Sequence, residues 1–114
     1  MLTFYNAVAN NGKMMKPMFA KSISSYGEDV KVFSPIILKE AVASPETIAM
    51  AREMLEAVVT DGTAKNLKNA SFSVAGKTGT AQISYGKSGY KGRKVSYQAS
   101  FVGYFPADKP LYSC

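Results

Sequence analysis

Val74-Ala75-Gly76-Lys77-Thr78-Gly79-Thr80-Ala81-Gln82 sets a lysine and a threonine between two glycines and a second threonine just after them, inside a stretch that reads as a strand from Phe72 to Ile83. Alternate side chains of a strand share a face, so Thr78 and Thr80 are expected to project together, with Lys77 and Gly79 opposite. Two hydroxyls on one face can both donate to a carboxylate. Gly79 removes a side chain where another backbone must lie alongside. Lys77 adds a positive charge that favours an anion in a partly desolvated cleft. The segment suits the holding of an anionic acyl donor beside a nucleophile.

A bare Lys-(Ser/Thr)-Gly tripeptide is weak evidence, since it arises by chance in on the order of several per cent of chains this long. Lys87-Ser88-Gly89 is a second copy, set between Gly86 and Gly92 where no strand pattern exists. Gly76-Lys77-Thr78 also imitates the end of a phosphate-binding loop. That loop needs a further glycine where Ser71 stands, and a helix where a strand follows.

Around this strand the chain reads as alternating helices and extended segments. Leu2, Tyr5, Val8 and Ala9 predict a helix over 2–11, stopped at Asn10-Asn11-Gly12. Lys13 to Ser24 reads as extended, with Pro17 limiting it to an edge or irregular strand. Tyr26-Gly27-Glu28-Asp29 predicts a turn, and Val30 to Phe33 a strand pairing back as a hairpin. Ser44 is the expected N-cap of a longer helix, with Pro45 at its first position and Glu46 facing the positive end of its dipole. Ile48, Ala51, Leu55, Val58 and Val59 make its apolar face, which Met50 and Met54 are expected to widen as core filler. Asp61-Gly62 ends it. Ala99 to Phe105 predicts another strand, Ala107 to Pro110 a turn, and Leu111 to Cys114 the start of a further strand. The expected fold class is therefore α+β, antiparallel strands with packed helices.

With 114 residues, 46% hydrophobic and 19% charged, the composition is that of one small globular domain. Its apolar runs are a few residues long, too short for a membrane span. The net charge is +6, and Lys87, Lys91, Arg93 and Lys94 crowd a glycine-rich loop over 85–94. Such a charge run is ordinarily solvated, though it could meet nucleic acid, anionic lipid or an acidic glycan. Tyr85, Tyr90 and Tyr97 could add base stacking, but no nucleic-acid-binding fold accompanies them. The absence of histidine excludes a Ser-His-Asp triad and any His-ligated metal. The single cysteine, Cys114, can form no internal disulfide.

The chain resembles the class B penicillin-binding proteins, the monofunctional peptidoglycan D,D-transpeptidases. The resemblance runs through Leu2 to Gly12 with Lys16-Pro17, then Met54 to Val59, Asp61-Gly62-Thr63-Ala64, Val74 to Gln82, and Ala99 to Asp108. These five segments are spread over nearly the full length, from Leu2 to Asp108. Asn66 to Asn69 and Tyr97 to Ser100 look most like the division-type enzymes.

That resemblance implies serine acyl transfer. A serine attacks the D-Ala-D-Ala carbonyl of a stem peptide, releases D-Ala, and passes the acyl group to an amine on a neighbouring strand, with β-lactams trapping the serine. Three motifs cooperate: Ser-x-x-Lys, Ser-x-Asn and Lys-(Thr/Ser)-Gly. Carried over, Lys77 serves the protonation network, Thr78, Gly79 and Thr80 bind the substrate, and the backbone N–H of Thr80 supplies half of an oxyanion hole. A connection after a helix is ordinarily a surface loop; the resemblance adds a possible supporting place for Thr60, Asp61, Thr63 and Lys65.

The chain holds no nucleophile. Ser84-Tyr85-Gly86-Lys87 spells Ser-x-x-Lys, but it follows the Lys-Thr-Gly strand and Gly86 opposes the helix that pair requires. No Ser-x-Asn occurs. The expectation is residues 1–114 as a C-terminal portion of one transpeptidase domain, truncated at both ends and inactive alone. Neither metal nor cofactor is implied, and nucleic acid is not an expected partner. The implied partners are stem peptides, β-lactams and division proteins, around a membrane-anchored parent with a periplasmic catalytic domain. The alternatives are a serine β-lactamase or β-lactam-sensor fragment and a non-enzymatic glycan- or nucleic-acid-binding module.

Overall fold

The computed structural model describes residues 1–68, 71–83 and 96–114. Asn69, the basic loop 85–94, Ser84 and the second Lys-Ser-Gly copy lie outside these residues. The element order is α1 (Leu2–Ala9), β1 (Met14–Met15), β2 (Ser22–Ser25), β3 (Glu28–Val32), β4 (Ile37–Lys39), α2 (Pro45–Thr60), a 3-10 turn (Lys65–Leu67), β5 (Ala75–Ile83), β6 (Ser96–Phe105) and β7 (Tyr112–Ser113). All strand pairs are antiparallel, in three small sheets: β1-β4, β2-β3 and β5-β6-β7.

The chain leaves α1 in a way its sequence explains. Asn11 takes a positive φ of 52°, and the Gly12 N–H reaches back 2.7 Å to the Ala7 carbonyl. Asparagine tolerates that left-handed position, and the bond satisfies a carbonyl that the helix end leaves open. Ser44 caps α2 as expected, its hydroxyl accepting from the Thr47 N–H at 3.3 Å, with Pro45 opening the helix. Tyr26 and Gly27, both at positive φ, form a two-residue turn between Ser25 and Glu28. Positive φ at both positions matches the right-handed twist of the strands. Glu28 and Asp29, expected within the turn, belong instead to β3.

Several expectations need correction. Ile37–Lys39 pairs with Met14–Met15, a non-local pairing that neither short apolar run announces. β5 begins at Ala75 rather than Phe72, and β6 begins at Ser96 rather than Ala99. Met50 and Met54 are not core filler: they are 57% and 64% exposed. The packed face of α2 runs through Ile48, Leu55 and Val59 towards β5, and the two methionines lie off that stripe.

The core sits where α1 and α2 meet the three-stranded sheet. Ala75, Tyr104 and Ala107 form its buried centre, with Ala9 and Leu55 packed against it. Among the described residues, Tyr104 Oη is the buried side-chain polar atom without a hydrogen-bond partner. Burial pushes the Tyr104 pKa up, opposed by the nearby Arg52 guanidinium.

Candidate functional site: an open Lys-Thr-Gly-Thr edge

β5 pairs with β6 through nine residues, from Ala75↔Tyr104 to Ile83↔Ser96. It ends the sheet order, so its other edge is unpaired among the described residues. Which backbone groups face that edge follows from β6. Gly103 exchanges both bonds with Cys114, N–H to carbonyl at 3.0 Å each way, so its polar groups face β7. By the two-residue repeat, those of Phe101 and Ala99 also face away from β5. Their cross-strand partners, Thr78 and Thr80, therefore turn their own N–H and C=O groups to the open edge. A side chain uses that freedom: Lys77 Nζ donates to the Thr78 carbonyl at 2.7 Å.

The side chains cluster at the same place. Lys77 Nζ also lies 3.3 Å from Thr78 Oγ1. Alternation starts Lys77 on the face opposite Thr78, but its four-carbon stem carries the ammonium around the strand to its neighbour. Thr78 Oγ1 is 2.6 Å from Thr63 Oγ1, in the connection after α2. Thr80 is exposed two residues further along.

The glycines answer to the sheet itself. A Cβ on Gly79 would stand 2.6 Å from Ser100 Oγ, the cross-strand partner whose hydroxyl donates to the Gly79 carbonyl at 3.4 Å. Gly79 thus makes room for Ser100, a demand additional to any substrate alongside. At Gly76 a Cβ would overlap Phe101 and the Val102 carbonyl, and at Gly103 it would overlap the Ala75 carbonyl. The two cross-strand glycines bring β5 and β6 together without side chains between them.

Arg52 holds the elements behind the site. Its guanidinium donates to Asn11 Oδ1 at 3.0 Å, and to the Ala107 and Asp108 carbonyls at 2.9 and 3.1 Å. The Asp108 carboxylate accepts from Ser73 Oγ at 3.0 Å, while Ser73 Oγ accepts from the Ala107 N–H at 2.9 Å. Ser73 thereby ties the start of β5 to the turn after β6. Arg52 follows Ile48 by four residues and so stands on the same stripe of α2. A fork-shaped donor at such a position was the available signal.

Among the described residues no group of three or more His, Cys, Asp or Glu side chains could hold a metal, and no helix is long and apolar enough to cross a membrane. Of the expected site residues, the fold gathers Lys77, Thr78, Gly79 and Thr80 on one strand segment, Lys77 and Thr80 exposed and Thr78 and Gly79 half-buried, and adds Thr63. Thr60 and Lys65 take no part in the cluster: Thr60 donates to the adjacent Asp61, and Lys65 begins the 3-10 turn.

A helix-flanked antiparallel sheet of this kind is the architecture of the penicillin-binding protein transpeptidase domains. The chain belongs to that family: the penicillin binding protein transpeptidase domain model matches residues 1–114. It is 38% identical over 108 residues to stage V sporulation protein D of Bacillus subtilis, covering 92% of this chain and 16% of that protein. Penicillin-binding protein H of the same organism is 30% identical over 117 residues, covering 96% and 16%. The D,D-transpeptidase domain of a peptidoglycan glycosyltransferase from Eggerthella lenta superposes with a TM-score of 0.76 at 32% identity, covering 96% of this chain and 24% of that one. The chain thus spans about a sixth of the length of the curated relatives it matches.

Proposed function

We propose that this chain is one wall of the active site of a peptidoglycan D,D-transpeptidase, part of a single larger domain whose nucleophilic serine lies outside these residues. The observation that carries the reading is the open edge at Thr78 and Thr80, with Lys77 folded against it. A stem peptide adds to this edge as an extra strand. The hydroxyls of Thr78 and Thr80 donate to its terminal carboxylate, and the Thr80 N–H points at the carbonyl under attack.

In this reading the serine oxygen adds to the penultimate D-Ala carbonyl. The oxyanion is held by the Thr80 N–H and a second donor from elsewhere in the domain. Collapse breaks the peptide bond, the departing D-Ala amine takes a proton, and the acyl group stays on the serine. An amine from a neighbouring stem peptide then attacks that ester and restores the hydroxyl, completing the cross-link. The Lys77 ammonium stabilises the incoming carboxylate and keeps charge in the proton network around the serine. Gly79 leaves the strand surface clear beside both. A β-lactam replaces the dipeptide and leaves the serine acylated. The complete protein is anchored in the membrane, with this domain on the outer side among its peptidoglycan substrate and division partners.

Fluorescent penicillin labelling tests this. The complete domain is expected to be labelled, and Lys77→Ala to slow acylation about 100- to 1000-fold, the usual effect of removing one preorganised electrostatic group. The 114 residues alone are expected to take no label. Normal acylation of the Lys77→Ala domain would remove the role given to Lys77, and stable labelling of the isolated chain would overturn the placement of the nucleophile. Rapid release of the acyl group by the complete domain would favour a β-lactamase instead.

A further inference from the structure

We propose that Thr63 is a positioning residue for carboxylate recognition, acting through the hydroxyl of Thr78; this rests on the carboxylate role given above to Thr78. A threonine hydroxyl has one proton and two lone pairs. At Thr78 Oγ1, Lys77 Nζ is 3.3 Å away and can only donate, so it takes one lone pair. Thr63 Oγ1 lies at 2.6 Å, within the short range of O–H···O bonds.

Two arrangements of the protons satisfy this geometry. If Thr78 donates to Thr63, its only proton is spent and its oxygen has nothing to offer a carboxylate. If Thr63 donates to Thr78, both lone pairs of Thr78 Oγ1 are filled. Its proton is then left for an incoming acceptor at the open edge. A bound carboxylate selects the second arrangement, because an anion accepts and cannot donate. Thr63 then fixes the direction of the one bond that reads the substrate's negative end.

Packing does not require this hydroxyl. Thr63 is exposed, fifteen residues from Thr78 in sequence, and the neighbouring Ala64 carries the burial, at 1% exposure. A structural role would predict little effect of removing it. A positioning role predicts an effect confined to ligands that carry the carboxylate.

The test is the second-order acylation rate of the complete domain by a penicillin and by its methyl ester, which lacks the anion. Thr63→Val is expected to slow acylation by the free acid about tenfold, the scale of one charge-assisted hydrogen bond, and to leave the ester's rate in place. Thr63→Ser is expected to restore the acid's rate. Thr63→Ala provides a second truncation should the valine methyl displace Thr78, with thermal melting to confirm folding. Equal losses for acid and ester, or no loss for either, would overturn the proposal. Thr78→Val run in parallel separates the two levels. If it loses acid-over-ester preference while both Thr63 truncations keep it, only the role of Thr63 falls. If Thr78→Val keeps the preference, the carboxylate role of Thr78 falls, and that of Thr63 with it.

Discussion

Asp108 shows how a single exposed side chain reports on the frame behind the site. The hydrogen bond from Ser73 is the main reason its carboxyl lies below the ordinary range, helped by backbone N–H groups and the Arg52 charge. A carboxyl whose folded pKa is depressed adds stability above its unfolded value of about 3.9, and that stability is lost as pH falls through the folded pKa. The sign is therefore acid-labile, in a window below about pH 4. An NMR titration of the Asp108 carboxyl is expected to find its midpoint below about 3.9, and Ser73→Ala to move it upward. An unchanged midpoint in that variant would detach Asp108 from Ser73. At this scale the sequence was informative about the alternation of Lys77, Thr78 and Thr80, whereas the edge position of their strand emerges only from the sheet order. It was silent about Thr63 meeting Thr78 and about Ser73 meeting Asp108. Those pairs are fifteen and thirty-five residues apart, and no local pattern encodes them.

Between elements the dependence on Arg52 is strongest. One guanidinium bridges the end of α1, the middle of α2 and the turn between β6 and β7. Arg52→Met keeps the aliphatic stem and deletes the fork. It is expected to destabilise the complete domain by about 1.5–3 kcal/mol in chemical denaturation, with Arg52→Lys recovering little because an ammonium cannot serve three acceptors in that plane. A fully rescuing lysine would show that charge alone suffices there. The elements most legible from sequence were those with local chemistry: the Ser44-Pro45 start of α2, the Asn-Asn-Gly stop of α1 and the Tyr-Gly turn of the hairpin. The β1-β4 pairing was not legible, since two- and three-residue strands carry no periodicity. The exposure of Met50 and Met54 was not legible either, because an apolar stripe does not reveal how wide a surface its partner offers.

The molecule as a whole buries little. Its accessible surface is 8778 Å², against about 6,100 Å² for a compact monomer of this mass. Its radius of gyration is 18.6 Å, where about 13 Å is expected for a compact domain of this length. The β2-β3 hairpin is exposed along every residue, with Ile23, Val30 and Val32 uncovered. Such a chain lacks the apolar burial that offsets the entropy of folding. In isolation it is expected to melt over a broad range, with low amplitude in calorimetry; a sharp cooperative transition would contradict this.

The open edge of β5 has a second consequence. Natural sheets usually blunt or cover their outermost strand, because bare N–H and C=O groups recruit any extended chain. A strand that must accept a substrate backbone cannot be protected in that way at Thr78 and Thr80. If the edge receives a stem peptide as proposed above, the same groups leave a template for self-association. Recognition, in the proposed reading, and aggregation hazard then share the same strand edge, where the Thr78 carbonyl already accepts from Lys77.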